Sequence, residues 1–311
     1  MTIAFGGDVH FMGVDAARLA ADPSTAMGPI ASVLRRADLA MVNLETAVTT
    51  RGTPAAKTYV FRAPPAALAA LRAAGVDVAT MANNHGMDYG LTGLRDSLAA
   101  ARAAGFPVVG IGLDAAAAFR PYRVTVKGQR IAVIGATQVL DSSLAAAWTA
   151  GPGKPGLASA KDVGRLVAAV EAARADADTV VVYLHWGREL STCPTGDQRA
   201  LSDALVRAGA DVVVGSHAHV VLGGGWQGGA YVDYGLGNFV FYSSGGLTAE
   251  SGVLTLTVAG RAVTAARWVP AVIEGGVPVR LSGSAAASGL AHWQELRGCT
   301  GLAGSPHQPV G

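Results

Sequence analysis

Residues 71–85 read Leu-Arg-Ala-Ala-Gly-Val-Asp-Val-Ala-Thr-Met-Ala-Asn-Asn-His, and residues 205–217 read Leu-Val-Arg-Ala-Gly-Ala-Asp-Val-Val-Val-Gly-Ser-His. Both stretches follow one plan. A helix-like run ends at a glycine, Gly75 or Gly209, which suits the left-handed cap of a helix. A short Val-containing run follows and reads as a buried strand. The strand then gives way to a polar tip that ends in histidine. Two copies, so far apart, do not make a solenoid. They mark a helix–strand unit used twice in a larger layered fold.

Working outward, further Val- and Ile-rich runs lie at Thr2–Gly6, Ala37–Val42, Val76–Met81, Val108–Ile111, Ile131–Ile134, Thr179–Leu184 and Asp211–Val214. Helix-like stretches separate several of them: Pro29–Arg36, Pro65–Ala74, Leu91–Ala104, Lys161–Arg174 and Asp197–Ala208. Strands alternating with helices predict an α/β core. Beyond that core, Ala230–Tyr234, Asn238–Tyr242, Gly252–Val258 and Ala262–Val269 read as antiparallel β with Gly-rich turns. The Gly/Pro-rich segment Trp148–Ala158 reads as a loop and not a domain boundary, because polar strand tips lie on both sides of it. The expectation is a single domain with two sheets over residues 1–297 and a loose tail over 298–311.

Composition narrows the function. Of 311 residues, 50% are hydrophobic and only 15% charged, which excludes a disordered chain. With 24 basic residues against 22 acidic and no basic run, nothing recruits a nucleic-acid backbone or an anionic membrane. No apolar stretch approaches the length of a membrane span. A polar motif already at Asp8 argues against a leader peptide and favours the cytoplasm; an upstream export signal would instead make the protein secreted or anchored. Cys193 and Cys299 form no Cys-x-x-Cys pair, which excludes a zinc finger. Whether they bond to each other stays open at this level; a bond would imply an oxidising compartment.

Five of the seven histidines follow the end of a predicted strand, the edge where α/β folds bind ligands. The motifs are Gly7-Asp8-Val9-His10, Asn43-Leu44-Glu45, Asn83-Asn84-His85-Gly86-Met87-Asp88, His185-Trp186-Gly187 and Gly215-Ser216-His217-Ala218-His219. Each alone is compatible with a hydrogen-bonded loop. Together they converge imidazoles and carboxylates of the kind that hold divalent Mn, Fe, Zn or Ca. The candidate ligands are Asp8, His10, Glu45, Asn84, His185, His217 and His219. His85 and Asp88, three residues apart, form a candidate acid/base pair in which the carboxylate orients the ring; the competing reading has Asp88 capping the following helix. Asp8 can serve as an orienting carboxylate, and His292 as a second acid/base if the C-terminal segment folds over the site. Phe239, Phe241, Tyr242, Trp186 and Trp226 lie near these motifs and supply core or an apolar wall. No dinucleotide fingerprint occurs and no lysine sits at a strand tip, so no organic cofactor is expected.

The ordered set Gly-Asp, Asn-Leu-Glu, Ala-Asn-Asn-His-x-x-Asp-Tyr-Gly, His-Trp-Gly, Gly-Ser-His-x-His and Gly235-Leu-Gly-Asn-Phe239 resembles the CapA (PGA_cap) family, within the calcineurin-like metallophosphoesterase superfamily. The resemblance spans roughly residues 3 to 270. It implies a four-layer αββα sandwich with a metal site at the strand ends, and links many relatives to poly-γ-glutamate capsule synthesis. By motif, Asp8 and His10 match the first metal-binding pair, and Glu45 stands where those enzymes carry a bridging aspartate. Asn84 matches a ligand and His85 an acid. His185, His217 and His219 match the last two motifs. The longer carboxylate at 45 and Asn83 in place of the usual glycine set this chain apart, so the resemblance implies one ion or two. Some CapA-like proteins associated with lasso-peptide biosynthesis are thought to be peptide epimerases, and this chain resembles them as a free-standing domain without the anchor usual in capsule relatives. The missing anchor, the altered bridging motif and the His85/Asp88 pair favour metal-supported Cα epimerisation of a residue in a ribosomal peptide. The alternative is metal-supported hydrolysis of a phosphoester or amide of the CapA type, linked to poly-γ-glutamate capsule synthesis, on a peptide or polyamide substrate. The oligomeric state stays open.

Overall fold

Side-chain alternation along the strands builds the architecture. In the strand Thr2–Val9, Ile3 and Phe5 join one buried cluster while Ala4 joins another. In Leu39–Leu44 the split is Leu39 and Met41 against Ala40 and Val42. The strand Thr179–His185 repeats it with Val181 and Tyr183 against Val180, Val182 and Leu184. A period of two with both faces apolar means that each sheet is covered on both sides. A computed structural model of the chain, describing residues 1–242 and 245–306, shows what covers them.

The first sheet runs Val277–Arg280, Ala262–Glu274, Glu250–Ala259, Thr2–Val9, Leu39–Leu44, Val78–Thr80, Val108–Val109, with Asn238–Val240 also paired to Thr2–Val9. The second runs Gly224–Gln227, Ala230–Asp233, Val212–Ser216, Thr179–His185, Gln129–Thr137, Tyr122–Val126. Ile3, Phe5, Met41 and Val78 of the first meet Ile131, Val133, Val181 and Val214 of the second in a shared core. Leu19, Leu68, Leu71 and Leu94, from helices Val14–Ala21, Ala66–Ala73 and Gly90–Ala104, cover the outer face of the first sheet. Leu166, Val170, Leu201 and Leu205, from helices Val163–Arg174 and Gly196–Ala208, cover that of the second. This is the αββα sandwich expected. The twin units are confirmed in their caps: Gly75 and Gly209 have φ of 87° and 106°, a conformation glycine adopts at no steric cost.

Three expectations need correction. Ala230–Asp233 and Asn238–Val240 are not purely antiparallel: the first lies parallel to Val212–Ser216 and the second parallel to Thr2–Val9. The cause is a crossover. Between these two short strands the chain leaves the second sheet and enters the first. The crossing is tight: a Cβ on Gly7 would sit 1.9 Å from the Gly237 carbonyl oxygen, which accepts the Asp8 amide at 3.0 Å. The second correction concerns residues 298–306, read as the start of a loose tail. They are fastened by a Cys193–Cys299 disulfide, by Ala303 bridging to Trp226, and by Arg199 donating to the Cys299 and Thr300 carbonyls. Residues 307–311, His307 among them, lie outside the described residues. The third is local: the expected Trp148–Ala158 loop contains a short strand, Gly156–Leu157, paired with Ile111–Gly112. Among the described residues no helix is long and apolar enough to cross a membrane.

Candidate metal centre

The parallel strands of both sheets end in one place, and the polar tips meet there. Asp8, Asn43 and Thr80 lie in register across Thr2–Val9, Leu39–Leu44 and Val78–Thr80. His185 and Ser216 lie in register in the second sheet. Asp8, His10, Glu45, His185 and His217 are all buried.

A hydrogen-bond frame fixes the donors. Asn43 Nδ2 donates to Asp8 Oδ1 at 2.8 Å and lies 3.2 Å from His185 Nδ1. Asn83 donates to Asn43 Oδ1 and to the Leu44 carbonyl, both at 2.9 Å, and accepts the His85 amide. The His217 amide donates to Asp8 Oδ2 at 3.1 Å, so Asp8 is both a frame member and a candidate ligand. His217 and His219 have φ of 98° and 57°, a region in which non-glycine residues need outside support. The Asp8 carboxylate supplies it for His217. Asn238, from the crossover strand, lies 2.8 Å from His219 Nδ1.

Into this frame projects Glu45, fully buried, with neither carboxylate oxygen hydrogen-bonded. Its Oε1 lies 3.4 Å from His185 Nε2 and 4.0 Å from His85 Nε2. His185 Nε2 in turn lies 2.8 Å from Asn84 Oδ1. An orphaned buried carboxylate is costly unless something cationic pairs with it. Donor atoms of Glu45, His185 and His217 fall within 4.8 Å of one another, as do those of Asp8, Glu45 and His219. Glu45 is common to both sets. A third set, Glu189 with His217 and His219, adds an exposed carboxylate that sequence reasoning missed; nothing in its Gly-Arg-Glu surroundings marks it.

The electrostatics match this. Burial, with Asp8 close by, pushes Glu45 well above the usual carboxylate range, and burial raises Asp8. Burial, with His219 as neighbour, lowers His217 to about 3, and His185 is held well below its ordinary value by burial and by His217. Neutral imidazoles crowded on acids that resist ionisation are groups a cation would relieve. The donor set therefore fits a divalent ion.

His10 departs from the expected ligand group. Its Nδ1 accepts the Met12 amide at 3.1 Å, and its ring sits among Phe61, Phe241 and Tyr242 at centroid distances of 4.7, 4.2 and 4.8 Å. With Nδ1 accepting, a neutral ring carries its proton on Nε2, and His10 belongs to none of the three donor sets. His292 is corrected outright. It faces Glu250 at 3.3 Å and lines a separate cavity with Trp268 and Trp293, because its helix packs on strand Ala262–Glu274 and not over the strand tips.

The His85–Asp88 pair is present at 2.6 Å. Asp88 does not cap the next helix; its Oδ2 also accepts the Phe61 amide, and Oδ1 lies 3.0 Å from Lys57 Nζ. Lys57, a second residue the sequence did not reveal, is nearly buried and also lies 3.3 Å from Asp141. The open side is a cavity of about 570 Å³ lined by His85, His219, Lys57, Glu189 and the aromatic Phe61, Phe241 and Tyr242. Phe239 and Trp186 are core.

With this geometry in place, comparison with known proteins is informative. The sequence profile described as "Bacterial capsule synthesis protein PGA_cap" matches residues 2–243. The chain belongs to this family. The "Capsule biosynthesis protein CapA" of Bacillus anthracis is 32% identical over 209 residues, covering 67% of this chain and 51% of that protein. The "PGA biosynthesis protein CapA" of Bacillus subtilis is 35% identical over 178 residues, 57% of this chain and 46% of the relative. A "Probable polyglutamine synthesis accessory protein" of Mycobacterium tuberculosis is 34% identical over 189 residues, 58% of this chain and 50% of the relative. The match thus spans about half the length of these curated relatives. Among solved structures, a hypothetical protein from Thermus thermophilus superposes with a TM-score of 0.53 at 17% identity, over 88% of this chain and all of that one. A putative 5'-nucleotidase from Staphylococcus aureus superposes with 0.50 at 15%, over 95% of this chain and 58% of that one. The fold is that of the calcineurin-like phosphoesterases, and its strand tips carry a donor set that fits a divalent ion.

Proposed function

We propose that this PGA_cap protein is a divalent-metal hydrolase acting on an amide or phosphoester bond of a polyamide-type substrate. The observation that carries this reading is the Glu45 carboxylate, fully buried, without a hydrogen bond, and ringed by imidazoles. Glu45, Asn84, His185 and His217 would hold one ion; Asp8, His219 and the shared Glu45 form the set for a second. The imidazole-rich donor set suits Mn, Fe or Zn better than Ca, which prefers oxygen alone. Such an ion supplies Lewis-acid polarisation of a carbonyl or phosphoryl group. The chain's own part is proton handling and positioning. Asp88 holds His85 by Nδ1, which leaves Nε2 to protonate a leaving group. Lys57 pairs with both Asp88 and Asp141, which anchors the carboxylate that holds His85. The names of the relatives, capsule and PGA biosynthesis, support a polyamide.

A second reading, Cα epimerisation of a peptide residue, is favoured by the aromatic wall. Phe61, Phe241 and Tyr242 border the cavity, and Tyr59 and Leu190 stand at its mouth, 63% and 65% exposed. A peptide side chain held there would put its Cα beside His85. The loss of His292 as an opposing acid/base counts against it. The disulfide supports an oxidising compartment over the cytoplasm.

The deciding experiment incubates metal-loaded protein with γ-linked glutamate oligomers, phosphoesters and peptides in H₂¹⁸O and in D₂O, read by mass spectrometry. ¹⁸O incorporation with cleavage is the expected result. Deuterium at Cα in an uncleaved chain would replace hydrolysis by epimerisation.

A further inference from the structure

Away from the histidine cluster lies a second cavity of about 560 Å³ that shares no lining residue with the first. Most of its wall comes from residues 266–304, beyond the part of the chain that the family profile matches. Three of the chain's five tryptophans line it: Trp226, Trp268 and Trp293. Trp268 and Trp293 stack at 5.4 Å with 7° between planes, and Tyr231 meets Trp226 edge-on at 4.9 Å.

Its charge is one-sided. Arg267, Arg280 and Arg297 line the cavity and no acidic side chain does. Arg297 is engaged, donating to the Gly224 carbonyl at 2.7 Å and lying over Trp293. Arg267 and Arg280 are exposed and have no ion pair or side-chain hydrogen bond among the described residues. Within, the fully buried Tyr231 Oη makes no hydrogen bond, although a buried phenol ordinarily finds a partner. Trp293 Nε1 is turned to the Asp233 carboxyl, which lies outside the lining.

We infer that this cavity is a ligand site for a carboxylate-rich peptide chain, separate from the metal centre. The arginine forks pair with carboxylates at the rim. The tryptophan-lined wall packs on the methylenes and backbone between them, and the Tyr231 hydroxyl supplies a donor for a carbonyl oxygen. The volume suits a short segment of a few residues. A single strand of nucleic acid would also stack on tryptophan, but three arginines grouped around one half-open cavity give no extended track for a phosphate backbone. The inference does not depend on which reaction the metal centre performs.

The test uses the full metal-loaded chain and its tryptophan fluorescence, since three of its five tryptophans line this cavity. Hexaglutamate, α-linked and γ-linked in separate titrations, is compared with hexaglutamine and hexathymidylate at constant ionic strength. Saturable quenching by at least one glutamate linkage is expected, with hexaglutamine and the oligonucleotide at least about tenfold weaker. The double variant Arg267→Ala/Arg280→Ala, altered only at exposed side chains, should keep its metal and melting temperature and bind about tenfold more weakly or worse. His85→Ala should bind as the unaltered protein does, which separates this site from the catalytic cavity. No saturable quenching by either glutamate linkage would overturn the inference. So would equal binding of hexaglutamine or of the oligonucleotide, or a double variant that binds normally.

Discussion

Breaking the Cys193–Cys299 bond should cost more than its surface position suggests. The bond joins residues 106 apart. Closing a loop of that size removes unfolded-state entropy worth about 4.7 kcal/mol in the chain-entropy treatment, and native disulfides typically contribute about 2–4 kcal/mol. The folded side loses little beyond the bond: Arg199 still holds the Cys299 and Thr300 carbonyls, and Ala303 still bridges to Trp226. An unfolding entropy near 2.1 cal/mol/K per residue, over 311 residues, converts a loss of about 3 kcal/mol into roughly 5 °C of melting temperature. Calorimetry on the oxidised protein and on Cys193→Ser, Cys299→Ser and the double variant reads this directly. Each single variant should lose as much as the double, because either removes the same constraint. Two free thiols titrating in the untreated folded protein, or a double variant that melts with the parent, would refute the reasoning. Additive losses from the two singles would move the effect to packing around each sulfur.

Glu45→Gln and His217→Ala should each lower the metal bound per chain, measured by elemental analysis; undiminished metal in both would remove the assigned donor sets. His85→Ala should keep its metal while turnover falls about 10²–10⁴-fold, and Asp88→Asn should fall less; a His85→Ala protein that sheds its ion would make His85 a ligand. Burial pushes Asp233 from 3.8 up to about 7. The folded state therefore holds a proton that the unfolded chain has lost, so stability is full below pH about 4 and declines as pH rises to the folded value, by on the order of 4 kcal/mol. Asp233→Asn should flatten that decline in urea titrations at pH 5 and pH 8, and an unchanged difference between the two would contradict it.

How far the sequence could be read depended on what each signal measures. The core strands were legible because Val and Ile alternate or run together in them, and the paired helices because Gly75 and Gly209 punctuate them. Helix Gly283–Leu296 escaped because Gly-Ser-Ala-Ala-Ala-Ser-Gly carries almost no amphipathic pattern; it is placed by Trp293 packing against Trp268. Tyr122–Val126 escaped because only one neighbouring strand covers it, leaving its burial intermediate or exposed throughout. Most of the site was legible because its donors follow strand tips. Lys57 and Glu189 were not, since each comes from an irregular loop and acquires meaning only from what it faces. Asn43 and Asn83 were visible as motif letters, but their work of holding Asp8, His185 and His85 exists only in three dimensions. His292 shows the opposite error, a promising residue type on a helix that packs elsewhere.

The crossover strand also bears on how the chain acquires its shape. Thr2–Val9 sits inside its sheet, yet two of its three partners, Asn238–Val240 and Glu250–Ala259, come from far later in the chain. During synthesis that strand pairs on one side with Leu39–Leu44, and its other side stays open until residues 238–259 have been made. Pairings so distant in sequence slow folding, and an apolar edge left waiting invites a neighbouring chain. Lower expression temperature and added chaperone should therefore raise the yield of this protein.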